Sequence, residues 1–128
     1  MTDCAGPLPP AALEGMRLFN TGEFFKAHEE FETAWRAEPG PIRSLYQGIL
    51  QIAVAYLHLT RNNYEGAIKV YRRALNWLRA YPDTCRGVDV GQLKRDAEAV
   101  FAEVERLGPE RLSAFNRALF RPIHWTHD

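Results

Sequence analysis

Apolar residues recur at helical spacing in four stretches of this chain, a fifth helix is marked by its end signals, and no stretch alternates with the period of two that a half-buried strand requires. In "PLPPAALEGMRLFNTG" prolines stand at a helix entrance and Gly22 at its exit, predicting a first helix over about Pro10–Asn20. From about Glu23 to Ala37, Phe24, His28, Phe31, Glu32 and Trp35 fall on one face, Lys26, Glu29, Glu30, Thr33 and Arg36 fall opposite, and Pro39-Gly40 stops the helix. A third helix, about Ile42–Thr60, is apolar nearly all round (Ile49, Leu50, Ile52, Ala53, Val54, Ala55, Tyr56, Leu57), which makes it the central element. After the break at Arg61-Asn62-Asn63, a fourth runs from about Asn63 to Ala80 with Tyr64, Ala67, Ile68, Tyr71, Leu75 and Leu78 in register. Asp89 can cap a fifth, with Gln92 three residues on as in a capping box, and Val90, Leu93, Ala97, Val100, Val104 and Leu107 as its stripe. The expectation is an all-α, single-domain bundle of about five helices. It divides into a flexible N-terminus over 1–9, the bundle over 10–108, and a C-terminal short helix and tail over 109–128.

Phe24, Ala27, Phe31, Ala34 and Trp35 superpose on Tyr64, Ala67, Tyr71, Ala74 and Leu75 at a constant offset of forty residues. This large/small alternation lets helical hairpins stack closely and resembles the tetratricopeptide pattern, with Gly15, Gly22 and Pro39 at fitting places in the first copy. The second copy has Ala55 and Arg79 where glycine and proline are expected, and two copies are fewer than a solenoid needs. The repeat is therefore a structural echo first and a binding groove second.

The echo isolates one anomaly. His28 corresponds to Ile68 and Glu32 to Arg72, so packing does not require a His–Glu couple. At i and i+4 both project from one face a turn apart, a spacing that suits two ligands on a metal or a hydrogen-bonded pair. Counting back from the Pro39–Pro41 turn sets Glu32 level with Gln47 and His28 level with Gln51, while His58 falls about 10 Å further along. On this reading the polar residues are buried and must satisfy one another. Three alternatives stand: a network fixing helix register; a divalent transition-metal site with His28, Glu32 and His58 as ligands; or a small-molecule pocket that adds Gln47, Gln51 and Trp35. Were there catalysis, metal-assisted hydrolysis with Glu29 or Glu32 as base is the class.

Composition removes other functions. With 128 residues, 46% hydrophobic and 25% charged, the chain can bury a core without staples. Sixteen basic and sixteen acidic residues cancel, leaving no field to draw the chain to nucleic acid. The longest near-apolar run, Ile49–Leu59, is too short to span a bilayer, and no signal peptide is evident, so a cytoplasmic protein is expected. Cys4 and Cys85 show neither metal-ligand spacing nor a disulfide framework, which fits a reducing compartment while leaving a single surface bridge open. His124, His127 and Asp128 lie close together but in the tail, and are expected to be solvated. Tyr46, Tyr56, Tyr64, Tyr71 and Trp77 are core and rim aromatics, not a base-stacking platform. No phosphate loop, nucleophile elbow or Cys–His pair is present.

H-x-x-x-E-x-x-W at His28, Glu32 and Trp35, followed by "YQGILQIAVAYLHLTRNNYEGA", resembles an uncharacterised bacterial and archaeal domain-of-unknown-function family over about Phe19–Leu107. The resemblance implies a compact helical bundle for which metal binding through the His/Glu motif has been suggested. It carries to His28, Glu32 and Trp35, and more loosely to Gln47, Gln51 and His58; Asn62-Asn63 stands where that family usually has Gly-Asn. The competing class is a tetratricopeptide-like module binding another protein without metal, in which the polar cluster is structural. A homo-oligomer is also open, since Phe115, Phe120 and Trp125 could dock on their own bundle or on a second copy.

Overall fold

Short polar caps and turn residues set the helix ends. The computed structural model describes residues 4–126. Pro10 opens α1 (Pro10–Asn20), and Gly22 at φ 82° carries the chain out of it into α2 (Phe24–Ala37). After Pro41 comes α3 (Arg43–Thr60), then the Asn63 side chain accepts a hydrogen bond from Gly66 N at 3.1 Å to start α4 (Tyr64–Leu78). Asp89 caps α5 (Val90–Leu107) by accepting from Gln92 N at 2.9 Å. The reciprocal half of the expected capping box does not form: Gln92 donates instead to Asp96, and Asp89 N donates to His124 O. All five expected helices exist, and the chain is all-α apart from one miniature hairpin.

Neighbouring helices pack in sequence, α1 on α2, α2 on α3, α3 on α4, as antiparallel hairpins. The stacking depends on small residues facing large ones. Ala27, Ala34, Ala67 and Ala74 are all buried, and Gly15 brings α1 so near Phe31 that a methyl there would meet its ring at 3.0 Å. In α3 ten residues are buried on several sides, among them Leu45, Tyr46, Ile49, Ile52, Ala53 and Tyr56, as its all-round apolarity predicts. α5 lies across this array: Phe101 stacks on Tyr71 with centroids 4.1 Å apart and planes 4° apart.

Three sequence expectations change here. The connection between α4 and α5 contains a two-stranded antiparallel hairpin, β1 (Thr84–Cys85) and β2 (Val88–Asp89), turned by Arg86 and Gly87, both at positive φ (51° and 79°). Two-residue strands give no alternation to detect, and positive φ at both central residues is the turn whose twist matches a hairpin. Cys4 and Cys85 are joined as a disulfide across 81 residues of sequence, with Cys85 wholly buried, so the bridge is no surface ornament. Residues Cys4–Pro9, expected as a flexible lead-in, are thereby tied to the hairpin.

The C-terminal segment is also bound down rather than solvated. Two 3-10 turns, Pro109–Ala114 and Arg117–Leu119, bring Phe120 over Tyr56 (4.5 Å between centroids, stacked) and against Phe24 (5.1 Å, edge-on). Asn20 then clamps the strand-like end with both halves of its amide, donating to Ile123 O at 2.9 Å and accepting from Ile123 N at 2.7 Å. Val88 bridges Trp125. His124 is exposed as expected; His127 and Asp128 lie outside the described residues.

Candidate functional site

The buried row on α2 is Phe24, Ala27, Phe31 and Ala34. His28 and Glu32 each sit one residue beyond a member of it, about 100° round the helix, and so fall on the shoulder of the core rather than in it. Both are half-buried, as are Trp35, Gln47, Gln51, Val54 and His58, and the described residues contain no buried polar or charged residue at all. The expectation of a buried quartet is corrected: the same face is kept, but solvent reaches it.

Nor do the four hold one another. His28 Nδ1 lies 3.2 Å from Phe25 O, one turn back on its own helix, and its ring leans on the Phe25 ring. Glu32 pairs with Arg36 at 3.5 Å with two-fifths of its side chain exposed, an ion pair worth a few tenths of a kcal/mol at most. Glu29 is exposed on the far side, and Thr33 bonds its backbone carbonyl. The side-chain amides of Gln47 and Gln51, a turn apart on α3, make no hydrogen bond to another described residue.

Hydrogen bonding also fixes what His58 can do. Asn63 Oδ1 accepts from Gly66 N, which leaves Asn63 Nδ2 as the donor towards His58 Nδ1 at 3.1 Å. His58 therefore accepts at Nδ1 and carries its proton on Nε2, the wrong tautomer for a metal ligand in this pose. Desolvation, aided by the nearby Arg61 cation, holds its pKa below the usual histidine value. Among the described residues no group of three His, Cys, Asp or Glu side chains is placed to hold a metal ion, so the proposed ligands His28, Glu32 and His58 do not converge.

What these residues do form is a strip along the α2–α3 seam, and two arginines that the sequence reading passed over close its ends. The Arg43 guanidinium lies 4.6 Å above the Trp35 ring, and Arg61 lies 6.0 Å from the Phe25 ring. Arg43 Nε is buried and has no hydrogen-bond partner. Phe25 is 48% exposed, unusual for its type. Between the two arginine caps run His28, Glu32, Gln47 and Gln51, over the stretch of α2 from Phe25 to Trp35, or about 15 Å of helix. Phe24 and Tyr56, by contrast, are already covered: Phe120 packs on both and Phe101 stacks on Tyr56.

Residues 12–70, which contain the whole strip, match the family described as Domain of unknown function (DUF309). The chain is 29% identical over 100 residues to an uncharacterized protein of Aquifex aeolicus (strain VF5), covering 77% of this chain and 30% of that protein. It is 31% identical over 101 residues to the uncharacterized protein YpuF of Bacillus subtilis (strain 168), covering 76% of this chain and 58% of that one. The chain thus spans under two thirds of the length of these relatives. No described helix is long and apolar enough to cross a membrane.

Proposed function

From residues 12–70, which belong to an uncharacterised bacterial family of unknown function, we propose a recognition module that holds a short extended polypeptide segment along the α2–α3 strip. One observation carries this reading. Gln47 and Gln51 are half-buried, a turn apart, and unbonded, and the buried Nε of Arg43 beside them is unbonded too. The buried Arg43 Nε loses free energy unless something completes it, while the two glutamine amides, which solvent reaches, are free to exchange water for a partner's backbone. A glutamine amide both donates and accepts, which is the complement of a peptide group. A strip of about 15 Å accommodates four or five extended residues at ~3.3 Å each. The arginine–aromatic caps at its ends suit acidic or aromatic side chains.

The test begins with peptides selected from a random library on the immobilised protein. Their affinities for the wild type and for the Gln47→Ala/Gln51→Ala variant are then compared by fluorescence polarisation. Loss of two amide hydrogen bonds should weaken binding by about tenfold or more, with no change in melting temperature. Peptides that bind both proteins equally would place recognition elsewhere.

A second reading rests on His28 alone. With Nδ1 donating to Phe25 O, its Nε2 presents a lone pair to solvent, and Glu32 stands one turn away. These two side chains fit two of the ligands of a divalent transition metal, with the remainder coming from whatever docks on the strip. Elemental analysis of protein purified without chelator should then find metal that a His28→Ala variant lacks. Metal-free protein in both samples would remove the ion from the site.

A further inference from the structure

The hairpin Thr84–Asp89 gathers both ends of the chain. From the N-terminal side, Cys85 is bonded to Cys4, Arg86 N donates to Cys4 O at 2.8 Å, and Arg86 Nη1 donates to Pro7 O at 3.1 Å. Gly6 lies flat on the Arg86 guanidinium; a methyl in its place would come within 3.0–3.2 Å of those atoms. From the C-terminal side, Asp89 N donates to His124 O at 2.9 Å and Thr126 N to Gly87 O at 3.0 Å. A cavity of about 410 Å³ opens between the two, lined by Cys4, Gly6, Pro7, Leu13, Arg86 and Thr126 among others.

The two sulfurs differ in access. Cys85 is wholly buried, whereas Cys4 is half-buried and forms part of the cavity wall. A thiolate from outside can therefore approach only the Cys4 side. Cys85 belongs to the continuous apolar cluster that α1 to α5 bury, whereas Cys4 adds to it only from its edge. We propose that Cys4–Cys85 is a thiol–disulfide exchange site, attacked at Cys4 by a dithiol reductant, whose opening frees the N-terminal arm from the hairpin and leaves the bundle folded.

In the first step the attacking thiolate forms a new S–S bond with Cys4 Sγ, and the electron pair of the old bond leaves on Cys85 Sγ, which takes up a proton. The second thiol of the reductant then displaces Cys4 as a thiol. The reductant ends as a disulfide, having given two electrons to the protein. The contacts of the arm to Arg86 at Cys4 O and Pro7 O then lose the covalent tether that made them local.

Native protein purified without reductant should show no alkylatable thiol, and two after treatment with dithiothreitol. Brief exposure to glutathione, acid quench and peptide mapping should find glutathione on Cys4. On reduction the Arg86 amide, which is bonded to Cys4 O, should exchange with solvent at least about tenfold faster, while the α3 amides change little. A Cys4→Ser variant should reproduce the reduced pattern without any reductant. Free thiols in the untreated protein, glutathione on Cys85, or an Arg86 amide indifferent to reduction would each overturn the proposal. So would α3 amides that lose protection together with Arg86, since the bridge would then be holding the fold and not an arm.

Discussion

Truncating Tyr56 to alanine should remove about 3–5 kcal/mol of stability, while Tyr56→Phe should cost nothing and gain up to about 1 kcal/mol. The contrast follows from where the ring and the hydroxyl sit. Tyr56 is fully buried, and Phe19, Phe24, Phe101 and Phe120 surround it at centroid distances of 4.5–6.4 Å. Removing the ring leaves a large cavity between α1, α2, α5 and the C-terminal segment at once. The hydroxyl, by contrast, is buried with no hydrogen-bond partner. Desolvation, with smaller contributions from Asp96 and Tyr71, raises its pKa far above the ordinary tyrosine value, so it stays neutral and contributes no charge chemistry. Urea unfolding measures both variants: the midpoint should fall steeply for alanine and hold or rise for phenylalanine, at an unchanged slope. A phenylalanine variant destabilised by more than 1 kcal/mol would mean that the hydroxyl is bonded after all.

Gly48 should resist every substitution, although it lies inside a helix, where alanine is intrinsically favoured by about 1 kcal/mol. A Cβ at this position would fall 2.5 Å from Leu78 Cδ2, 2.7 Å from its Cγ and 3.3 Å from Trp77 Cβ. Leu78 is itself fully buried and cannot swing aside without displacing the core. Overpacking of about 1–3 kcal/mol should outweigh the propensity gain, making Gly48→Ala a net loss, with Gly48→Val worse. Because the close α3–α4 approach causes the loss, Gly48→Ala should turn neutral or stabilising in a Leu78→Ala background, as a double-mutant cycle measures. An equal loss in both backgrounds would point to a different constraint on Gly48.

The helices were legible because their signals are local. Proline at the start of α1, Asn63 and Asp89 at caps, and Gly22 and Gly108 at exits all act within a turn or two, and the apolar spacing fills in between. The central place of α3 was equally legible, since only an enclosed helix can be apolar on nearly every side. The candidate site was half legible. The i, i+4 spacing put His28 and Glu32 on one face correctly, but a stripe of five positions is wider than the true contact line through Phe24, Ala27, Phe31 and Ala34. Whether the margin of such a stripe is wet depends on how far the next helix reaches, which no single helix encodes. Antiparallel counting likewise paired His28 and Glu32 with glutamines, whereas each took a nearer partner on its own helix, Phe25 O and Arg36. The Cys4–Cys85 bond was least legible, because partners at a sequence separation of 81 leave no local trace of their meeting.

The aromatic stack at Tyr56 also bears on what counts as the unit of inheritance in this family. The stretch that matches the family, residues 12–70, ends before Phe101 and Phe120, yet both rings close over Tyr56, and Phe120 over Phe24 as well. A fragment cut at 70 would carry the recognisable sequence with one wall of its interior missing. Residues 12–70 alone therefore do not close the interior; the lid over Tyr56 comes from α5 and the C-terminal segment, beyond the matched stretch.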